Sequence, residues 1–436
     1  MQMADTPSRY NNSTHRLIPG GAHTYSKGDD QFPANGPRFL NRGEGSRVWD
    51  ETGREFLDWT SGLRTMSLGY GVRPVLDAAI AQMELGSNFG RPSSIETEFA
   101  AELIDVIPCA DMVKFAKNGS TVTTAAVKLA RVYTGRDYIA LCADHAFFSY
   151  DDWFIGATVM NAGVPKAIQD LSLTFRYNDI ASVEALFASH PGKIACVILE
   201  AATMDHPAPG FFEKLEEICR REGAVLILDE MITGFRWHLN GAQKYYGITP
   251  DLATFGKGMA NGFAVSALVG RREIMELGGI DHDRERVFLI STTHGAENHA
   301  LAAARATLKI CREEGVQDHM WAIGGSLIAG LNEAAKEAGL AEVFVAGGVP
   351  CSPWYSLTAP KPENSLPLRT LFLQEMAERG VIANYLAPSW SHRQADVDRT
   401  VEAARGSLPV VSRALEDGYE KYLKGPSIKP VFRPFN

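Results

Sequence analysis

Short uninterrupted apolar runs alternate with amphipathic stretches through the middle of the chain. The runs near 138–143, 194–199, 224–228 and 264–269 contain no polar break, the pattern of parallel strands covered on both faces. Between them Val122, Ala126, Leu129 and Tyr133 follow the stripe of a helix with one buried face. The segment Phe211–Glu222 reads as a second helix, closed by Gly223 before the next apolar run. Strand, helix and strand in repeating order predict an α/β protein with right-handed crossovers and a mostly parallel sheet.

The two ends carry a different pattern. Residues 1–60 are rich in Gly, Pro and Asn, with short strand-like pieces such as Arg47-Val48-Trp49-Asp50. From about 320 come a long Ala/Glu helix pattern, short strands and a closing helix around Thr400–Leu423. The expectation is a large domain over 61–317 and a smaller α+β domain built from 1–60 and 318–436.

Composition narrows the class. The chain has 436 residues, is 45% hydrophobic and 22% charged, and carries a formal net charge of −9. That is ordinary for a globular protein, and the acidic balance argues against nucleic acid or an anionic membrane as partner. Cys109, Cys142, Cys196, Cys219, Cys311 and Cys351 are scattered with no C-x-x-C pair, which predicts reduced, mostly buried thiols. Asp5, Arg9, His15 and Arg16 precede any apolar run, so no signal peptide is expected. No apolar stretch reaches the roughly 18 residues of a membrane helix. The expected location is cytoplasmic.

Three stretches carry chemistry. In Val225–Arg236 four apolar residues end in Asp229 and Glu230, at the carboxyl end of a predicted strand, where open parallel sheets bind ligands. Alone, Asp229 is better explained as a cap of the following turn. Lys257 follows 28 residues later, enclosed by Gly256, Gly258 and Gly262. Small neighbours let a planar group approach the amine, and an apolar setting lowers its pKa toward nucleophilic use. The glycine spacing does not fit the dinucleotide fingerprint. Lys117–Val122 forms a small hydroxylated turn leading into the first helix, suited to a phosphate, but without the lysine of a P-loop. A phosphate cradle, a strand-end acid and a glycine-enclosed lysine are together the parts that pyridoxal phosphate requires. They take its phosphate, its pyridine nitrogen and, as a Schiff base, its aldehyde.

With these residues in view, the chain resembles the class III aminotransferases of the fold-type-I pyridoxal-phosphate group, and among them the glutamate-1-semialdehyde aminomutase branch. The resemblance runs through Ile18–Gly21, Val48-Trp49-Asp50 with Gly53, Gly119-Ser120-Thr121, Leu228-Asp229-Glu230 with Thr233–Arg236, and Pro250–Lys257. It implies a homodimer with active sites at the subunit interface. It also implies Lys257 as the Schiff-base lysine, Asp229 as partner of the pyridine nitrogen, Gly119 and Ser120 as the phosphate turn, and Met231 under the ring. Thr293 matches a threonine that reaches the neighbouring subunit's phosphate, and Glu200 a glutamate near the cofactor. Three positions depart from the family. Thr121 stands where Glu is common. Asp144-His145-Ala146-Phe147-Phe148 replaces an aromatic-His-Gly motif, leaving His145 or a nearby phenylalanine to stack on the ring. Gly295-Ala296-Glu297-Asn298 replaces Gly-Gly-Asn-Pro. These changes bear on the substrate more than on the catalytic set.

Arg64, Arg236 and Arg393 are candidate carboxylate clamps, and Tyr25 a candidate pocket residue. His294 and His299 are five apart and so do not share a helix face, and His238, His282 and His392 lack ligand spacing, so no metal is expected. The run 281–286 mixes both charge signs and reads as a solvated loop. The expected activity is transfer of an amino group from an amine or amino-acid donor to a carbonyl of an oxidised sugar or aminocyclitol in antibiotic-type biosynthesis. The opening Pro19–Gly28 resembles aminoglycoside-pathway aminotransferases more than the haem-pathway mutase. The alternatives are the 2,1-aminomutase itself and a non-catalytic binding protein on the same fold.

Overall fold

The computed structural model describes residues 12–435, so Asp5 and Arg9 lie outside the described residues. The chain divides into two compact units. One comprises the described residues up to Leu63, Gly69–Gly71, and the chain from Trp321; the other comprises Arg64–Leu68 and Val72–Met320.

After the short helix Asn12–Leu17, the first unit contains an antiparallel meander of β1 (Leu40–Glu44), β2 (Arg47–Asp50) and β3 (Glu55–Asp58). The second unit is built on a seven-stranded sheet. Its strands are β4 (Met112–Ala116), β5 (Tyr138–Cys142), β6 (Ser172–Phe175), β7 (Ile194–Glu200), β8 (Val225–Asp229), β9 (Leu252–Phe255) and β10 (Ser266–Gly270), in the spatial order β4-β10-β9-β8-β7-β5-β6. The pairs from β6 through β9 are parallel, and β10 is antiparallel to both its neighbours. The first unit is completed by the hairpin of β11 (Phe344–Val349) and β12 (Ser352–Leu357), and by β13 (Val381–Ile382), which pairs parallel to β3. Its core gathers Leu327, Leu331, Leu371, Phe372 and Leu408 from the helices Val316–Glu337, Ser365–Glu378 and Gln394–Asp417, together with Phe344 of β11.

Every residue of β7 and β8 is buried, which is why these strands read as unbroken apolar runs. The helix Gly119–Thr134 buries Val122, Ala126 and Leu129 as its stripe predicts. Tyr133 departs from the expected buried face. It is 40% exposed, and its hydroxyl donates to Glu273 at 3.0 Å, since the ring end of a tyrosine in a last turn gains more from a polar partner than from burial. The closing helix also differs, running Gln394–Asp417 instead of reaching Leu423, because Gly418 leaves helical geometry at φ +91°. Among the described residues no helix is long and apolar enough to cross a membrane, and the six cysteines are free thiols.

Candidate active site

The parallel register sets the site. Glu200 ends β7 and Asp229 ends β8, and the two are direct partners across the strands. Asp229 is in turn paired with Thr254 of β9. Both acids are buried, at 4% and 1% exposure. Asp229 Oδ1 accepts from the Met231 backbone N–H at 2.9 Å and from Thr254 Oγ1 at 3.0 Å. Burial raises the Asp229 carboxyl above its ordinary range, although Lys257 and these two donors pull the other way.

Lys257 lies in the turn Lys257–Ala260 just after β9, in a left-handed conformation at φ +42°. Burial drives its amine below the ordinary lysine range; Glu200 and Asp229 oppose that shift, and Arg64 and Arg236 add to it. The glycines around it serve close packing. A Cβ on Gly258 would sit 2.2 Å from Ser67 Oγ, and one on Gly262 would sit 2.6 Å from Met66 Sδ. The segment 64–68 therefore lies against the lysine turn, held also by the Leu68 N–H donating to Asn261 Oδ1 at 2.9 Å.

Gly119 and Ser120 begin the helix Gly119–Thr134, with Asn118 as N-cap accepting from Thr121 N–H at 3.0 Å. Ser266, at the start of β10, donates to the Asn118 carbonyl at 2.8 Å, and Ser120 Oγ accepts from Tyr150 N–H at 3.1 Å. The Met231 sulfur lies 2.9 Å from the Cβ position of Gly119 and 2.8 Å from that of Gly256, so it bridges the helix start and the lysine turn. His145 follows β5 and is buried; its Nδ1 accepts from the Glu200 backbone N–H at 2.9 Å. The ring stays neutral because burial lowers its pKa to about 4. Phe147 is exposed and Phe148 is buried.

The candidate arginines separate. Arg64 has φ +70° and acts electrostatically on both Lys257 and Glu200. Arg236 is buried and reaches Met320 Sδ at 3.6 Å and Ser67 Oγ at 3.5 Å. Tyr25 and Arg393 belong to the other unit, where Tyr25 is exposed and Arg393 precedes the helix Gln394–Asp417 with its guanidinium over Trp390. Thr293 is exposed, and its carbonyl accepts from Asn88 at 3.0 Å. His294 and His299 both face Glu297, which also pairs with Lys117.

Sequence reasoning gave no role to Glu230 or Thr254. Glu230 is fully buried and accepts from Thr233 Oγ1 at 2.6 Å, Ala242 N–H at 2.8 Å, and the backbone and side chain of Gln243 at 2.9 and 3.4 Å. Thr254 had a signal, since strand pairing sets it beside Asp229.

These residues fit pyridoxal phosphate. A half-buried lysine whose amine has a lowered pKa stands near a doubly hydrogen-bonded acid, and a side-chain-free helix start stands beside an apolar sulfur. Two buried polar atoms, His145 Nε2 and Glu200 Oε2, have no partner among the described residues.

Comparison with known proteins agrees. The aminotransferase class-III family matches residues 30–404. The chain is 31% identical over 414 residues to a 3-aminobutyryl-CoA aminotransferase of Cloacimonas acidaminovorans (strain Evry), covering 92% of this chain and 96% of that protein. It is 32% identical over 418 residues to a glutamate-1-semialdehyde 2,1-aminomutase of Syntrophobacter fumaroxidans (strain DSM 10017 / MPOB), covering 89% and 94%. Among solved structures, the pyridoxal-phosphate internal-aldimine form of the FumI protein of Sphingopyxis sp. MTA144 superposes with a TM-score of 0.85 at 28% identity, covering 93% of this chain and 96% of that one. The chain belongs to the class III aminotransferases and is a pyridoxal-phosphate-dependent enzyme of that family.

Proposed function

We propose that Lys257 is the amine that holds the cofactor, that Asp229 keeps a proton on its ring nitrogen, and that the chain moves an amino group onto a carbonyl of an oxidised sugar or aminocyclitol. The observation that carries the site assignment is the half-buried Lys257 together with the buried Asp229 and Glu200 at one sheet edge. When bound, pyridoxal phosphate supplies an aldehyde for the amine and a ring that withdraws charge from the reacting carbon. Gly119 and Ser120 offer the phosphate a helix start. Met231 supplies apolar contact, and His145 a neutral ring. Lys257 Nζ would serve as the base for the proton on the donor's amine-bearing carbon, and its lowered pKa favours the neutral amine that such a base requires.

The acceptor class rests on the Pro19–Gly28 opening and on a net charge of −9, which favours cationic aminosugars. The relative at 32% identity favours a second reading, the 2,1-aminomutase. The assembly that goes with either is a homodimer in which Thr293 serves the neighbouring subunit's phosphate. The exposed apolar side chains Met83, Leu85 and Phe89 support it. Candidate amines are screened for conversion of bound cofactor to its amine form by absorbance, and the converted enzyme is then offered oxidised aminocyclitols, glutamate-1-semialdehyde and simple keto acids. Turnover of glutamate-1-semialdehyde alone would exclude the sugar reading. Failure of every amine to convert the cofactor would exclude both, and a non-catalytic binding protein would remain.

A further inference from the structure

At the β7–β8 edge the backbone register sets two carboxyl groups side by side in the interior. Water is excluded from both, so two negative charges there repel each other in a poorly screened setting, and such a pair retains a proton. Hydrogen bonding decides which member keeps it. Asp229 Oδ1 has two donors, a backbone N–H and a threonine hydroxyl, which stabilise an anion. Glu200 Oε2 is buried with no partner among the described residues, the setting in which an anion is least stable.

We propose that Glu200 is the neutral acid of this pair and donates its O–H to an oxygen of the bound ligand, while Asp229 carries the negative charge. The proposal rests on reading this edge as the reaction site. Charged and titratable groups face Glu200 from several elements. Asp229 of β8 pushes toward the neutral form, whereas Lys257 after β9 and Arg64 of the 64–68 segment pull toward the anion. Cys142 at the end of β5 and Tyr177 after β6 are also within range of its charge, and burial keeps both in their protonated, uncharged forms. His145 is neutral. Burial raises both carboxyls above the ordinary range, and the two donors on Asp229, which Glu200 Oε2 lacks, assign the retained proton to Glu200. With Nδ1 occupied as an acceptor, His145 carries its proton on Nε2, so it too presents a donor without a partner. A neutral acid and a neutral imidazole N–H suit a ligand oxygen bearing negative charge, a phenolate or a polarised carbonyl oxygen. Two carboxylates would repel it.

The test is infrared spectroscopy of the holoenzyme with carbon-13-labelled glutamate, which marks a protonated glutamate by its carbonyl band. The expected result is such a band in the wild-type protein at pH 7, absent from Glu200→Gln. In Asp229→Asn, where the neighbouring charge is gone, its titration midpoint falls by about one to two pH units. The band lies at lower frequency in holoenzyme than in cofactor-free protein, since a donated O–H weakens the carbonyl. No protonated-glutamate band in the wild type at pH 7 overturns the proposal, as does a midpoint unmoved in Asp229→Asn or a band unmoved by cofactor. The wild-type band stands even if a variant misfolds. It requires no turnover, so a failed amine screen and a missing band are separate outcomes.

Discussion

Glu230→Gln isolates the staple that holds the loop after β8. Each carboxylate oxygen of Glu230 receives two donors: Oε1 takes the backbone and side chain of Gln243, and Oε2 takes Thr233 Oγ1 and Ala242 N–H. Glutamine has the same shape but replaces one oxygen with an N–H₂ group. Whichever oxygen is lost, a backbone N–H, of Ala242 or Gln243, then faces another donor. One unsatisfied buried donor costs about 1–3 kcal/mol, and the remaining bonds lose charge assistance worth about 1 kcal/mol. Relief from burying a charge offsets part of this. The net expectation is a loss of about 2–3 kcal/mol, a fall of roughly 4–12 °C in thermal midpoint for a unit of this size. The assay is calorimetric unfolding of wild type and variant at one scan rate, with Thr233→Val as a comparison that removes a single donor and costs about 1 kcal/mol. A Glu230→Gln midpoint within about 1 °C of wild type would refute the four-donor account.

Further outcomes follow from the same site. Lys257→Ala abolishes the absorbance band of lysine-bound cofactor and lowers turnover by more than about a thousandfold; retention of the band would locate the amine elsewhere. Gly258→Ala forces a Cβ to within 2.2 Å of Ser67 Oγ and costs about 1–3 kcal/mol, and the double variant with Ser67→Gly recovers much of that loss in denaturant unfolding. If the two substitutions simply add, the contact is not the cause. His145 has a folded pKa of about 4 against 6.5 for a free histidine, so the unfolded chain binds its proton first as pH falls. Stability is then full above pH 6.5 and lost down to pH 4, by about 3 kcal/mol, and His145→Gln removes that part of the acid sensitivity. Equal acid sensitivity in the two proteins would count against a buried neutral ring.

The central strands were legible because burial on both faces leaves β7 and β8 without a polar position. Strand β4 was not, since three of its positions are half-buried and one is exposed, giving neither a continuous nor an alternating pattern. Strand β9 has only four residues, all buried, too few for periodicity to register. In the site, Asp229 and Lys257 stood out as residue types in local context, an acid ending an apolar run and a lysine among glycines. What stayed hidden depends on chain closure. Gly241 at φ +80° brings the Ala242 and Gln243 amides onto Glu230, and a Cβ there would lie 2.6 Å from Glu230 Oε1. The bond from Glu200 N–H to His145 spans 55 residues. The left-handed values at Ser61, Leu63 and Arg64, all non-glycine, have no local signature.

Strand direction explains why so much chemistry meets at one edge. Strands β5, β7, β8 and β9 are neighbours and parallel, so their carboxyl ends lie in a row. His145 follows the first, Glu200 and Asp229 end the next two, and Thr254 and then Lys257 come with the last. The antiparallel β10 serves the same edge only by its beginning, where Ser266 pairs with Ala116 at the end of β4 and braces Asn118, the cap of the phosphate turn. A slip of one residue in β8 against its neighbours would turn Asp229 to the other face and separate it from both Glu200 and Thr254. The full burial of these strands opposes such a slip, because it would strand an acid in the apolar layer. The hydrophobic packing that holds the register thus also keeps the two acids side by side.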